Sequence, residues 1–237
     1  MNSGLRHGVI VLGMHRSGTS CLAGCLQERG LFLGEVFEKN PYNLKGNREN
    51  QSIMQLNISV LESSGGNWNR PPEEIIWNES QARERDQIIA SFMNSGEQTW
   101  GFKDPRTLLS LPFWEAGLKQ ISFVGTFRNP IAVAKSLNSR DGMPIEEGLA
   151  LWRAYNQKLV SLWCRQPFPM VSFDSNPCEY RDSIDRTAKF LGLETRSDSI
   201  FFEENLRHQS SGIEAISTLN EADRSLYLQL CSLHFQW

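Results

Sequence analysis

The sequence predicts an α/β protein in which a central parallel sheet lies between two layers of helices. Short β-branched apolar runs alternate along the chain with longer stretches of helical periodicity. The first run, Val9 to Leu12, is followed directly by a loop that contains glycines and then by a helical pattern. Strands that alternate with helices in this way form a parallel sheet covered on both faces, a three-layer α/β/α arrangement.

The pattern predicts each element in turn. Strands are predicted at Val9 to Leu12, Thr99 to Phe102, Ile121 to Phe127 and Phe168 to Phe173. Helices are predicted at Gly18 to Arg29, Glu49 to Leu61, Ser80 to Met93, Pro130 to Ser139, Ile145 to Cys164 and Tyr180 to Leu191, the last with Gly192 as its C-cap. The segments Leu33 to Arg48 and Ser63 to Pro72 are rich in Asn, Gly and Pro, which indicates loops that shape a binding pocket. The polar stretch after Phe201 predicts neither an element nor a role.

Length and composition limit the classes of function. The 237 residues are 40% hydrophobic and 22% charged, as in globular proteins, and we expect one domain over residues 1–237. A net charge of -3 and a pI near 5.9 give no overall attraction to nucleic acid or to an anionic membrane. No apolar stretch is long enough for a membrane span or a signal peptide, so we expect a cytoplasmic location. The cysteines form no CxxC pair, which argues against a disulfide framework or a zinc site.

Residues Gly13 to Ser20, with the sequence GMHRSGTS, lie where the first strand passes into the first helix, and we call them the phosphate loop. Glycines at such a junction let backbone amides converge on an anion, and the helix N-terminus adds partial positive charge. The spacing is nearly that of the nucleotide P-loop, but Thr19 stands where that motif has its lysine. Arg16 supplies a cation instead. Amides and one guanidinium suit an anion with less charge than a triphosphate and need no metal ion.

Other interpretations of this loop are open. A P-loop kinase or NTPase would use the missing lysine on its phosphates and an acidic residue on magnesium, and the strand from Ile121 to Phe127 carries no acid. A non-catalytic nucleotide-binding protein would keep the fold without turnover. A glycine turn that merely joins a strand to a helix is the purely structural interpretation.

A second segment, Thr126 to Ser136, begins at the end of a predicted strand and enters a predicted helix at Pro130. Arg128 would lie at the carboxyl end of the strand, and Ser136 about two turns into the helix. A guanidinium beside a hydroxyl suits a phosphate, because arginine stays charged and can bind two oxygens in parallel. Taken alone, the Arg-Asn-Pro sequence is also compatible with an ordinary helix entry and a surface arginine.

Together the two segments resemble sulfotransferases that use 3'-phosphoadenosine-5'-phosphosulfate. HRSGTS is similar to the 5'-phosphosulfate-binding loop of that family, and Arg128 and Ser136 match the spacing of its 3'-phosphate-binding motif. The resemblance implies a donor site with Arg16 at the transferring group, Ser17, Gly18, Thr19 and Ser20 around the 5' end, and Arg128 and Ser136 at the 3'-phosphate. It implies no bound metal.

Further candidates follow the strand predicted at Thr99 to Phe102. The segment Trp100 to Thr107 resembles the Lys-Asp-Pro segment of tyrosylprotein sulfotransferases, which implies that Lys103 reaches the leaving oxygen. Lys103 is also compatible with a structural role, and Asp104 and Arg106 with a helix cap and a surface group.

The attacking hydroxyl or amine must lose a proton, which requires a carboxylate or an imidazole within hydrogen-bond reach. Glu49 is the first candidate, because the segment Lys45 to Asn50 resembles one in several sulfotransferases that carry a Gly and a Glu before a helix. His15 is the second and Asp104 the third. Glu49 is also explained as a favourable first-turn glutamate, and His15 as a hydrogen-bond donor to the bound anion.

The resemblance extends to Pro169 to Gly192, similar to the last strand and helix of the sulfotransferase core, where Asp174 is expected to orient the phosphate loop. The sequence thus predicts sulfuryl transfer to a hydroxyl or amine of a carbohydrate, a phenol, another small molecule or a protein side chain. No nucleic-acid partner is expected, and the acceptor and the oligomeric state are left open. Trp68 would suit a sugar or aromatic acceptor, although tryptophans mostly serve cores. The remaining histidines, expected at the surface, are His7, His208 and His234.

Overall fold

The computed structural model describes residues 7–39, 45–194, 201–202 and 213–234. Its sheet has four parallel strands in the order β2-β1-β3-β4, namely β1 (His7–Leu12), β2 (Thr99–Lys103), β3 (Ile121–Phe127) and β4 (Met170–Ser172). Ile10 of β1 lies opposite Phe102 of β2 and Phe123 of β3. The predicted α/β class and the parallel sheet are confirmed.

The helices lie between and after these strands. In chain order they are α1 (Thr19–Gln27), α2 (Gln51–Ser63), α3 (Glu79–Met93), α4 (Leu111–Glu115), α5 (Pro130–Asp141), α6 (Ile145–Arg165), α7 (Pro177–Phe190) and α8 (Glu221–His234). Short 3-10 helices occupy Pro105–Leu108 and Ile213–Thr218. The predicted helices correspond to α1, α2, α3, α5, α6 and α7, with ends that differ by a few residues. The sequence pattern missed α4, α8 and the 3-10 helices.

Side chains of β1 alternate between the two faces of the sheet, as expected for a strand that is buried on both sides. Val9 and Val11 pack in an apolar cluster with α1 and α7. Ile10 and Leu12 lie in the larger cluster, which includes residues of α2, α3, α4, α5, α6 and α8. The three-layer arrangement predicted from the sequence is therefore present.

Asparagine side chains fix where two helices begin beside the predicted site. Asn50 caps α2 by accepting a hydrogen bond from a backbone N–H in its first turn. Asn129 accepts from two backbone N–H groups of α5, and Pro130 occupies the start of that helix. Each cap directly follows a predicted site residue, Glu49 or Arg128, so the helix starts fix the backbone at those residues.

The C-terminal helix α8 contacts α6 and β4. Its buried apolar residues recur at helical spacing and belong to the larger cluster: Leu226, Tyr227, Leu230 and Leu233. His234 is also buried, and its Nδ1 lies 2.8 Å from the carbonyl oxygen of Met170. The expectation that His234 lies at the surface is therefore wrong. His7 is half-buried, and His208 lies outside the described residues.

The side chain of Asn57 on α2 is fully buried against the segment that follows β2. Its amide nitrogen donates to Thr107 Oγ1 at 2.9 Å. Its Oδ1 accepts hydrogen bonds from Ser110 Oγ at 2.6 Å and from Trp114 Nε1 at 2.8 Å. One side chain thus joins α2 to the residues just after Lys103.

We expect Asn57→Leu to lower the free energy of unfolding by about 3 kcal/mol, because it leaves the buried indole N–H of Trp114 without its acceptor and removes the nearer acceptor of the Ser110 hydroxyl. Urea unfolding followed by circular dichroism measures the change. Asn69→Leu, at an exposed position, is the control and should change stability by no more than about 0.5 kcal/mol. A loss below about 1 kcal/mol for Asn57→Leu would contradict this role of the side chain.

Candidate functional site

The candidate site lies where the strand order of the sheet reverses. From β1 the chain reaches β2 on one side, and it then passes to β3 on the other side of β1. In open parallel sheets the loops at the carboxyl ends of the strands diverge at such a point and leave room for a ligand. The phosphate loop follows β1 and Arg128 follows β3, so the two predicted anion-binding segments flank this crevice.

The backbone of the phosphate loop packs closely against its neighbours. A Cβ atom added to Gly13 would lie 2.5 Å from the carbonyl oxygen of Thr126. One added to Gly18 would overlap the ring of Phe173. Gly18 also has a φ of 86°, in the left-handed region that side chains disfavour. Glycine is therefore required at both positions for the loop to reach the ends of β3 and β4.

The phosphate loop contains a buried polar group without a described partner. Helix α1 begins after Gly18, which has no side chain to cap the first-turn amides. The hydroxyl of Ser17 is fully buried and forms no hydrogen bond with a described residue. Buried polar groups are normally paired, so this hydroxyl beside uncapped amides fits a bound phosphate or sulfate ester.

Arg16 has a left-handed backbone conformation, with a φ of 66°, which is uncommon outside glycine. Its half-buried guanidinium donates through Nε to Ser136 Oγ at 2.8 Å. Burial, followed by the charges of Arg140 and Arg128, lowers the pKa of Arg16, and Asp141 opposes this shift. Since guanidinium groups stay charged at neutral pH, the three arginines repel one another. An anion bound beside them would relieve that repulsion.

Arg128 lies next to Arg16 at the crevice. Its Nη1 donates to the carbonyl oxygen of Arg16 at 3.3 Å, and its guanidinium carbon lies 5.3 Å from the centre of the Phe173 ring. The carbonyl oxygen of Arg128 accepts from Trp152 Nε1 on α6 at 2.9 Å. Arg16, Arg128 and Ser136 thus come together, although 112 positions separate the two arginines in the chain.

Lys103 is the last residue of β2, and its side chain is almost completely buried. Nζ donates to Glu49 Oε1 at 2.6 Å, to the carbonyl oxygen of Asn47 at 2.9 Å and to Ser20 Oγ at 3.2 Å. These bonds join β2 to the segment before α2 and to the phosphate loop. A buried ammonium depends on such a carboxylate partner, because an isolated buried charge is very costly.

Asp104 and Arg106 extend this network. Asp104 Oδ1 accepts from the backbone N–H of Arg106 at 2.9 Å and from its Nη1 at 3.0 Å. Arg106 Nη1 also lies 3.9 Å from Glu49 Oε2. Burial raises the pKa of Asp104, and Arg106 partly offsets that shift. Asp104 is a cap, but the interpretation of Arg106 as a surface group is wrong, because its side chain is only 15% exposed.

His15 packs against aromatic residues from other parts of the chain. Its ring centroid lies 4.7 Å from that of Trp68 and 6.2 Å from that of Tyr155. The Tyr155 hydroxyl donates to the carbonyl oxygen of Trp68 at 2.8 Å, and the guanidinium of Arg140 lies 5.3 Å from the Trp68 ring centre. Trp68 is therefore held over His15 from two sides.

The imidazole of His15 is buried, and its Nε2 forms no hydrogen bond with a described residue. Burial, followed by the charges of Arg106 and Lys103, holds the pKa of His15 well below its usual value. The ring is therefore neutral near pH 7. A neutral imidazole with an unpaired buried nitrogen is suited to one hydrogen bond with a ligand.

Asp174 lies beside Arg128, at the segment that follows β3. Its Oδ2 accepts from the backbone N–H of Asn129 at 2.5 Å and from the Tyr227 hydroxyl at 3.2 Å. Its Oδ1 lies 3.9 Å from Arg128 Nε. Asp174 therefore orients the segment after β3, and its expected role in orienting the phosphate loop stays a prediction.

Several residues of the site carried no signal in the sequence. Tyr155 and Trp152 occupy buried positions of the regular helix α6, where the pattern predicts core residues. Arg140 lies in the last turn of α5, where a basic residue is common. The one available signal was Trp68, a large aromatic residue within a segment otherwise rich in Asn, Gly and Pro.

The described residues contain neither a candidate metal site nor a helix that could span a membrane. Among residues 7–39, 45–194, 201–202 and 213–234, no His, Cys, Asp and Glu side chains are grouped to hold a metal ion. In those same ranges, every helix is too short or too polar to cross a bilayer.

Comparison with known proteins gives matches among solved structures. No protein-family model and no curated sequence matches the chain. The chain is similar to the sulfotransferase domain of the olefin synthase from Synechococcus PCC 7002, with 17% identity, a TM-score of 0.53 and coverage of 98% of this chain and 90% of that one. It also matches sulfotransferase STF1 from Mycobacterium tuberculosis H37Rv, with 11% identity, a TM-score of 0.42 and coverage of 98% and 77%. The first match shows that the chain has the sulfotransferase fold.

The buried imidazole of His15 should make protein stability depend on pH. Because its folded pKa lies below the ordinary value of 6.5, the unfolded state binds more protons at mildly acidic pH. Neutral His15 makes its full contribution to folding stability above about pH 6.5, and that contribution is lost as the pH falls towards the folded pKa. In the wild type, we expect His15 to make the free energy of unfolding fall by up to about 1.4 kcal/mol per pH unit below about pH 6.5, and His15→Gln should remove this dependence.

Urea unfolding of both proteins at about pH 7.5 and about pH 5.5 measures this slope. His7→Gln is the matched control and should remove a smaller part of it, since burial lowers the pKa of His7 less. Parallel pH dependences of wild type and His15→Gln would mean that the imidazole is protonated without cost in the folded state.

Proposed function

We propose that the protein is a sulfotransferase that moves a sulfuryl group from 3'-phosphoadenosine-5'-phosphosulfate to an acceptor hydroxyl or amine. The observation that carries the proposal is the hydrogen bond between Arg16 and Ser136, 2.8 Å long and adjacent to Arg128. It unites two segments that the sequence resemblance assigns to opposite ends of one donor. The sulfotransferase fold supports the same function, although a fold alone does not define chemistry.

The phosphate loop would hold the 5' end of the donor, which supplies the activated sulfuryl group. The first-turn amides of α1 and the hydroxyls of Ser17, Thr19 and Ser20 are hydrogen-bond donors for its oxygens. Gly18 lets the backbone approach them closely, and Arg16 adds a permanent positive charge. The unpaired Ser17 hydroxyl at the start of α1 is the structural support for this assignment.

Arg128 and Ser136 would bind the 3'-phosphate. A guanidinium offers parallel hydrogen bonds to two phosphate oxygens, and a hydroxyl adds one more donor. Phe173 supports one face of the guanidinium, and Trp152 holds the backbone of Arg128. This combination neutralises a phosphate with protein groups alone.

Arg16 and Lys103 would stabilise the charge that grows on the leaving oxygen during transfer. The Lys103 ammonium contacts Ser20 of the phosphate loop and so lies beside the proposed 5' end. Glu49 and Asn47 fix its orientation. Charge held in place before the reaction stabilises a transition state better than charge that must first be reoriented.

Glu49 and His15 are the candidates for the general base, and the structure places a different constraint on each. The Glu49 carboxylate accepts a hydrogen bond from the Lys103 ammonium at 2.6 Å, and a proton on that carboxylate would weaken the ion pair that keeps Lys103 buried. Asp104 is engaged by the backbone and side chain of Arg106. His15 is neutral and its Nε2 is unpaired among the described residues, so it can accept a hydrogen bond from the acceptor, but its burial and the charges of Arg106 and Lys103 oppose its protonation.

The acceptor would enter beside His15, with the indole of Trp68 as one wall of its pocket. An indole face suits a sugar or an aromatic ring. Sulfuryl transfer to a carbohydrate, a phenol, another small molecule or a protein side chain is the same reaction on different acceptors.

We also propose a cytoplasmic location. All five cysteines lie in described ranges and none forms a disulfide, which is compatible with a reducing compartment.

Isothermal titration calorimetry and a turnover assay test the proposed function. Adenosine 3',5'-bisphosphate should bind equally well with and without magnesium and more tightly than ATP. Radiolabelled donor should transfer its sulfuryl group to at least one member of a panel of sugars, phenols and peptides. Magnesium-dependent binding of ATP in preference to the bisphosphate would favour a kinase, and bisphosphate binding without turnover on a broad panel would favour a binding protein.

Arg16→Ala is expected to lower kcat by roughly 2 orders of magnitude, on the order of 3 kcal/mol of transition-state stabilisation. The reason is that the guanidinium supplies charge to the transferring group. Steady-state turnover at saturating donor measures the effect. Arg83→Ala, an exposed arginine on α3, is the matched control. A loss of about tenfold or less would remove Arg16 from this role.

Arg128→Ala should chiefly weaken donor binding, because it deletes the guanidinium proposed for the 3'-phosphate. We expect the Kd for adenosine 3',5'-bisphosphate to rise by about 30-fold or more, while AMP, which lacks the 3'-phosphate, loses much less. Calorimetry with the two nucleotides measures both values. Unchanged affinity for the bisphosphate would contradict the assignment.

A further inference from the structure

The hydroxyl of Tyr227 links the C-terminal helix to the site. Tyr227 is a buried residue of α8, and its hydroxyl donates to Asp174 Oδ2 at 3.2 Å. The ring packs edge-on against Phe127, the last residue of β3, at a centroid distance of 6.1 Å. The sequence predicted no role for this part of the chain, so its contact with a site segment was not foreseen.

Asp174 passes this contact on to Arg128. The oxygen that accepts from Tyr227 also accepts the backbone N–H of Asn129, the residue that caps α5. The other carboxylate oxygen lies 3.9 Å from Arg128 Nε. Two donors on one oxygen thus fix the rotation of the carboxylate, and the second oxygen is held at a set distance from the guanidinium.

The helix that carries Tyr227 is itself firmly attached. Asp223, which is fully buried, accepts hydrogen bonds from Arg153 of α6 through both carboxylate oxygens, at 2.6 Å and 2.9 Å. One turn after Tyr227, Leu230 is completely buried in the larger apolar cluster. The position of the Tyr227 hydroxyl is therefore set by α6 and by the core, and it does not depend on a ligand.

We propose that Tyr227 is a positioning residue for the arginine that binds the 3'-phosphate, acting through Asp174. The proposal rests on the proposed function of Arg128. With the Tyr227 hydroxyl in place, the Asp174 carboxylate orients the Arg128 guanidinium. The hydrogen bonds from Asn129 and Tyr227 partly neutralise the negative charge of that carboxylate. Without the hydroxyl, Asp174 loses one donor and can turn towards Arg128, where it competes with a phosphate for the same N–H groups.

Tyr227→Phe isolates this effect, because it removes one hydroxyl and keeps the buried ring. We expect the Kd for adenosine 3',5'-bisphosphate to rise about fivefold, and the Kd for AMP to change less than about twofold. In turnover assays the KM for the donor should rise by a similar factor, while kcat changes by less than about twofold. Leu230→Val, on the same helix, is the control for a mere loss of packing and should leave the preference for the bisphosphate over AMP unchanged.

Asp174→Asn tests the same link from its other end and serves if Tyr227→Phe folds poorly. It removes the carboxylate charge that Tyr227 is proposed to control, so adding Tyr227→Phe to Asp174→Asn should not change the preference for the bisphosphate over AMP any further. The double variant should be no worse than the stronger single variant, since both changes break one chain of contacts. Additive losses, or an equal effect of Leu230→Val, would overturn the proposal. So would a Tyr227→Phe protein with the wild-type preference for the bisphosphate.

The two proposals fail in different ways. If the wild-type protein binds adenosine 3',5'-bisphosphate no better than AMP, Arg128 does not serve a 3'-phosphate and the proposed function is at fault. If the wild type strongly prefers the bisphosphate and Tyr227→Phe does not alter that preference, only the role of Tyr227 is wrong.

Discussion

The close packing of the phosphate loop on the end of β3 is the contact on which the rest of the site depends. The carbonyl oxygen of Thr126 would lie 2.5 Å from a Cβ at Gly13, so no other residue allows the same approach. The hydroxyl of Thr126 then donates to the carbonyl oxygen of Ser17 at 3.1 Å and fixes the middle of the loop. This approach carries Arg16 to the segment after β3. The switch point of the sheet thus unites two segments that are distant in the chain.

Charge is balanced differently on the two sides of the crevice. On the β2 side, the buried ammonium of Lys103 is matched by Glu49 at 2.6 Å. On the β3 side, burial lowers the pKa of Arg16, and the charges of Arg140 and Arg128 lower it further. Repulsion of this kind destabilises the protein without a ligand, and a bound anion removes it. The β3 side is therefore where an anionic donor gains most from binding, while the β2 side is already neutralised.

The sequence predicted the features that depend on local residue patterns, namely the fold class, the strand bounds and the residues at the strand ends. The bounds of β3 were found because a β-branched and aromatic run ends at Arg128 and Pro130, and the fold class followed from the alternation of such runs with helices. Arg16 and Arg128 could be named because glycine and proline mark the junctions on which they lie. The contact of Tyr227 with Asp174 could not be found, because it spans 53 positions and depends on how α8 packs. Local patterns identify side chains at strand ends, and only tertiary packing identifies the residues that orient them.

Asn57 differs from two polar residues of the phosphate loop in how its buried polar atoms are paired. The side chain of Asn57, buried outside the crevice, has its amide nitrogen and its oxygen paired within the protein. Ser17 Oγ and His15 Nε2 are equally removed from water, lie two positions apart in the phosphate loop, and have no described partner. A buried polar atom without a partner costs about 1 to 3 kcal/mol. The packing of the loop on β3 offsets that cost in the protein alone, and a ligand that supplies the missing hydrogen bonds would recover the free energy on binding.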